Sequence, residues 1–254
     1  MSSRLASEIL RFWNAAQKPA RLGGLNASAS AWLIAKLISE SQSNITLICA
    51  NSDSATKLYQ DLKTFFTLLD LPVDQLDLFP GWEQSPYLAY TPSIKNRVRR
   101  LRTLHRLARG EIRCVVTDIE ALSQKCPDAS SIRERTFDLA AGDFISRDEL
   151  ISKLETAGYS RTDPVEDPGT YAIRGGLCDV FSPSVKRPVR IEFFGDEIES
   201  IRAFDPGTQK SDPMGIPRIS VIPVTDFSFN EETAQRAQSS LHRSRRQNGV
   251  ASRA

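Results

Sequence analysis

The chain has 254 residues, 40% of them hydrophobic and 25% charged, with a formal net charge of +2, which suits one large or two modest globular domains and excludes a low-complexity chain. No apolar run approaches the roughly 18 residues of a membrane span, and four isolated cysteines without a CxxC pair, beside only two histidines, argue against a structural zinc site. The near-neutral total hides an asymmetry: residues 128–212 carry 17 acidic and 11 basic side chains, a net −6, and the remainder carries +8, so two regions with different surfaces are expected.

The N-terminus, MSSRLASEILRFW, has a charge inside its apolar part and no small-residue cleavage site; it reads as an amphipathic helix rather than a signal peptide. Next comes RLGGLNASASAWLIAKLIS, residues 21–39. Its apolar residues Trp32, Ala35, Leu37 and Ile38 fall near a 3.6 period, which predicts a helix over 28–40. ITLICA (45–50) reads as a buried strand, residues 52–69 as an amphipathic helix capped by Ser52 or Asp53, and QLDLFPGW (75–82) as a strand ending in a turn. A helix over 94–110 and the strand RCVVT (113–117) come after it. Apolar strands alternating with helices predict a parallel α/β sheet covered on both faces.

The pattern changes after KCPDAS. RTFDL (135–139) predicts a short strand and SRDELISKLETAGY (146–159) a helix, with Ser146 and Glu149 as a capping box and Gly158 as the stop. TYAIRG, GLCDVFSP, PVRIEFF and EIESIRAF alternate with period two between Gly, Pro and Asp turns. Gly195-Asp196 between two of these runs is a hairpin signal. An α+β domain with an antiparallel sheet is expected over 128–212, inserted into an α/β domain that begins at 1–127 and resumes at 213–230. The tail, 231–254, lacks periodicity and is expected to be disordered.

Three groups of residues are candidates for function. The loop before the first helix has the frame of a phosphate-binding loop, G-x-x-x-x-G-K-[ST], whose lysine neutralises phosphate and whose hydroxyl holds magnesium. Gly24 fits the first position, but Ala29 stands at the second glycine, Ser30 at the lysine and Ala31 at the hydroxyl. Weak anion binding at the helix N-terminus remains open, as does an ordinary strand-turn-helix; hydrolysis is not expected. Secondly, Arg99, Arg102, Arg106 and Arg109 have a 3, 4, 3 spacing along one helical face. That ridge can follow phosphates by charge, or be a solvated outer face, or dock another domain. No aromatic residues interleave to stack bases. Thirdly, in PVRIEFFGD the alternation puts Arg190, Glu192 and Phe194 on one strand face, opposite Val189, Ile191 and Phe193. Arginine and aromatic residues are the types enriched at binding hot spots. His105 and His242 have no partners in a catalytic pattern, and a turn explains Asp196 and Glu197 better than a metal does. No catalytic residue, metal or cofactor is expected, and the isolated thiols fit the cytoplasm.

FPGWEQSPYLAYTPS (79–93), RCVVTDIEALSQKCP (113–127) and the long segment from AGYSRTDPVEDPGTYAIRGG to RPVRIEFFGDEIESIRAFDPGTQ (157–209) resemble, in this order, the N-terminal module of the transcription-repair coupling factors (Mfd). That module is similar to the first domains of the excision-repair protein UvrB. The resemblance covers roughly residues 8–227. It implies a degenerate P-loop NTPase-like sheet domain that has lost its ATP site, carrying an α+β domain that binds UvrA. In the family the UvrA contacts are an arginine in YxxRG, an arginine in the P-x-R strand and an aromatic further along it; here these are Arg174, Arg190 and Phe194. RNA polymerase and DNA would be reached through family domains beyond this module. Only Tyr87 and Tyr90 stand where UvrB has a long tyrosine-rich hairpin, which favours the coupling-factor reading. The alternative is a UvrB-type, helicase-like protein that binds damaged DNA in a nucleotide-dependent way. Because the chain stops near 254, an isolated or truncated module is expected, with translocation and ATP hydrolysis outside it.

Overall fold

A computed structural model describes residues 8, 9, 11, 21–41, 43–82, 94–226, 235 and 238–240. The predicted N-terminal helix lies mostly outside these residues, as do Tyr87, Tyr90, His242 and nearly all of the tail. The chain divides into two compact units, residues 1–126 and 127–254.

In the first unit, α1 (Ala27–Glu40), β1 (Ile45–Cys49), α2 (Ser52–Leu68), β2 (Leu76–Phe79), α3 (Ile94–Ala108), β3 (Cys114–Asp118) and the short α4 (Ile119–Ser123) succeed one another. The three strands form a parallel sheet in the order β1-β3-β2, with Val116 in register with both Leu47 and Leu78. Every residue of β2 and β3 is buried, as continuous apolar strands covered on both faces require. Ala31, Ala35 and Ile38 of α1 and Ala55, Leu62 and Phe66 of α2 pack on one face, against Leu76, Leu78, Cys114 and Val116. The other face pairs Phe79 and Val115 with Ile112, Ala121 and Leu104. Asn51, not Ser52 or Asp53, caps α2: its side chain accepts from the Ser54 N–H, while the helix itself begins at Ser52 as the sequence pattern indicates.

In the second unit, α5 (Ala129–Glu134) and β4 (Phe137–Ala140) precede α6 (Arg147–Thr156). Ser146 caps α6 as predicted, accepting from the Glu149 N–H. Gly158 ends it with φ +92°, and a Cβ there would lie 2.4 Å from Thr225, so only glycine fits. Then come β5 (Ser160–Arg161), β6 (Thr170–Arg174), β7 (Leu177–Val180), β8 (Val189–Phe194), β9 (Glu197–Phe204) and β10 (Ser211–Gly215), which form a six-stranded sheet in the order β10-β9-β8-β7-β6-β5. All its pairs are antiparallel except β5–β6. Tyr171 donates from one face of this sheet to Glu155 of α6.

Within the segment expected to return to the first domain, residues 218–225 are held in the second unit. β11 (Arg218–Val221) pairs antiparallel with β4, Ile219 opposite Leu139. Residues 222–225 are held within the same unit: Tyr159 donates to the Ile222 carbonyl, the Val224 N–H to the Ala157 carbonyl, and Arg135 to the Thr225 carbonyl. The alternation in RISV buries Ile219 and Val221, a pattern that suits either domain, so local sequence did not identify the partner strand. Among the described residues, no helix is long and apolar enough to cross a membrane.

Candidate functional site

The register of the six-stranded sheet brings the three predicted contact residues onto one face. Arg174, Leu177, Glu192 and Ser200 form one cross-strand row, and Ala172, Asp179, Arg190 and Arg202 the next. Phe194 lies two residues beyond Glu192 on β8 and so shares that face. The β8–β9 hairpin closes through Gly195-Asp196, with Gly195 at φ +65°, the left-handed conformation its first turn position needs.

The three residues are held differently. Phe194 is 77% exposed at the end of its strand. Arg174 is exposed and forms a fork with exposed Asp163, Nε to Oδ2 at 3.3 Å and Nη2 to Oδ1. That hydrogen bond, with the nearby guanidinium charge, holds the Asp163 carboxyl below its ordinary value. Arg190, expected on display beside Phe194, is instead built into the sheet. Its side chain is 15% exposed and that of Asp179 only 3%. Nε and Nη2 donate to the two Asp179 oxygens at 2.7 and 2.8 Å, and Nη1 donates to the Gln209 carbonyl at 3.2 Å. The guanidinium lies 4.8 Å from the centre of the Phe204 ring. Phe204 belongs to a buried cluster with Val165, Ala172 and Phe181, which covers that end of the face and leaves the Phe194 end open. Alternation places Arg190 on the correct side, but it cannot show that β7 supplies an aspartate directly opposite.

The loop before α1 has a glycine in the left-handed conformation, and the helix end that comes after it is capped from within the chain. Gly24 adopts φ +77° in open space. The Asn26 side chain accepts from the Ala29 N–H at 2.8 Å, so the chain's own amide occupies the helix end where an anion would sit. Ser30 turns its hydroxyl onto the Asn26 carbonyl at 2.9 Å. Ala31 is fully buried in the core and faces away from any ligand at the loop.

Most of the arginine ridge on α3 is used within the first unit. Arg106 pairs with Asp77 at 2.7 Å and donates to the Asp74 carbonyl. Arg109 pairs with Glu111 at 2.7 Å, and Arg99 lies 5.5 Å from the Tyr59 ring centre. Arg102 is partly buried. A uniform phosphate-following ridge is therefore not what this face presents. Arg100 lies outside the arginine spacing read from the sequence. It is 1% exposed, donates to the Pro80 carbonyl at 2.6 Å and to Gln124 at 3.2 Å, and stacks 4.3 Å from the Phe79 ring centre and 5.1 Å from that of Trp82. Its place beside Leu101 and one turn before Leu104 on the apolar flank was the available signal.

Residues 137–227 match the UvrB interaction domain family. The transcription-repair-coupling factor of Myxococcus xanthus is 34% identical over 224 residues, which are 86% of this chain and 18% of that protein. Those of Escherichia coli K12 and Bacillus subtilis 168 are 30% and 31% identical, over 81% and 87% of this chain and 17% and 18% of their own lengths. The chain thus spans less than a fifth of these relatives. The chain is thus homologous over most of its length to part of the transcription-repair-coupling factors, with residues 137–227 matching the UvrB interaction domain family.

Proposed function

We propose that this chain is an adaptor module for DNA repair, binding UvrA so that stalled transcription is coupled to nucleotide excision repair. The observation that carries the reading is the exposure of Phe194 and Arg174 on one sheet face, two strands apart, at two of the three positions where the family resemblance puts UvrA contacts. A large aromatic held on a rigid strand loses little conformational freedom on binding and fills a pocket well. Arg174 complements it. Its pairing with Asp163 is exposed on both sides, and such pairs contribute little to stability, so the guanidinium can exchange Asp163 for a partner carboxylate. Arg190 braces the same face through its pair with Asp179.

The first unit acts as scaffold and is not expected to bind or hydrolyse ATP, since Asn26 fills the helix end and the cationic and hydroxyl anchors are lacking. RNA polymerase and DNA would be engaged through domains of the kind the longer relatives have room for. A pull-down of UvrA by the purified chain tests the reading; capture that is lost in Phe194→Ala supports it, and no capture by the wild type overturns it. Calorimetry with ATP and magnesium tests the alternative, a nucleotide-dependent UvrB-type protein, which requires micromolar binding.

A further inference from the structure

A second exposed phenylalanine stands on the same sheet face. Gly142 donates to the Ile198 carbonyl, Ile198 to the Asp143 carbonyl, and Ile145 to the Asp196 carbonyl. Residues 142–145 thereby run antiparallel to the start of β9, on the side away from β8, with Phe144 opposite Glu197. Phe194 is opposite Glu197 on the other side. Residues directly opposite in a sheet share a face, so Phe144, Glu197 and Phe194 form one row. Phe144 is 78% exposed and Phe194 77%. Two interstrand steps put their backbones about 10 Å apart.

We infer that Phe144 and Phe194 form a two-pronged aromatic contact, with Glu197 between the prongs, that docks on a protein presenting two apolar sockets about 10 Å apart around a basic side chain. The inference rests on the proposed UvrA-binding reading and extends its surface to Phe144 and Glu197, neither of which the resemblance indicates. Each ring is held by backbone hydrogen bonds and has no apolar cover. Neither is needed for the core at this end of the sheet, which lies on the opposite face in Ile191, Ile198 and Ile201. The charge of the partner is set by Glu197 and the exposed Asp196, in a region with a net charge of −6; Glu192 is already taken up by Ser200 and Arg202. A basic rim complements them and speeds encounter.

The test is a titration of UvrA with the full chain and with three variants, Phe144→Ala, Phe194→Ala and Glu197→Lys, beside thermal unfolding of each. Melting should be unchanged for both alanine variants, because the rings are exposed. Affinity should fall about tenfold in each alanine variant, within the range of hot-spot truncations. In Glu197→Lys it should fall most at low salt. Wild-type binding that weakens in Phe194→Ala but not in Phe144→Ala overturns the second prong and leaves the first reading intact. Glu197→Lys binding as tightly as wild type overturns the basic partner. Absence of wild-type binding overturns both this inference and the reading beneath it.

Discussion

Arg190 grips Asp179 through two parallel hydrogen bonds of 2.7 and 2.8 Å across neighbouring strands. Arg174, two strands away on the same face, holds Asp163 in an exposed fork. The two arginines look equivalent in sequence, yet one is part of the sheet and the other lies on its surface.

Arg190→Ala should therefore destabilise the second unit, whereas a freely displayed strand arginine would be lost without structural effect. It leaves Asp179 buried without its cation. Such losses cost about 3 kcal/mol or more when both groups are fully buried, and about 2 kcal/mol here because the arginine is partly open to solvent. Faster hydrogen exchange through residues 177–204 is the readout. Arg190→Lys should recover only part of the loss, since an ammonium cannot make the fork. Wild-type protection in Arg190→Ala would remove the structural role.

Arg100→Leu should destabilise the first unit by about 2 kcal/mol, by stranding the Pro80 carbonyl and removing the guanidinium stacked on the Phe79 and Trp82 rings. All three tryptophans, Trp13, Trp32 and Trp82, lie in that unit. Denaturant unfolding followed by tryptophan fluorescence isolates it, and an unshifted midpoint would contradict the assignment.

Restoring phosphate-loop residues should not restore nucleotide binding. Ala31→Thr puts a hydroxyl into a fully buried position, at a cost of about 1–3 kcal/mol from overpacking. Ser30→Lys with Ala31→Thr should show lowered stability and no heat of ATP binding. Tight ATP binding by the double variant would mean that the loop is poised for phosphate after all.

Alkaline pH should weaken the second unit. Burial, then the hydrogen bond to Glu155, pushes Tyr171 from 10.0 up to about 12, and burial raises Tyr159 as well. The folded state then holds these protons where the unfolded state releases them, so stability is full below about pH 10 and falls as pH rises toward 12. Stability measured across this range, with tyrosinate absorbance alongside, should show the decline. Flat stability would contradict the burial of these phenols.

Much of this architecture was legible because its signals are local. Apolar runs such as RCVVT marked strands buried on both faces, Ser146 and Gly158 bounded α6, and Gly195-Asp196 marked the hairpin that displays Phe194. Features that depend on distant partners were not legible. Asp179 lies 11 residues from Arg190, β11 pairs with β4 although the six strands of the larger sheet lie between them in the chain, and Arg106 finds Asp77 on another element. Phe144 escaped notice because its segment is too short to show alternation. Its exposure depends on pairing with β9, more than 50 residues later.

The most direct test of the account is the affinity of UvrA for the chain against that for Phe194→Ala, with thermal unfolding measured on the same samples. The account predicts saturable binding by the wild type, about a tenfold weaker complex for the variant, and superimposable melting curves. Equal affinity in the two proteins, or no binding by either, would contradict it.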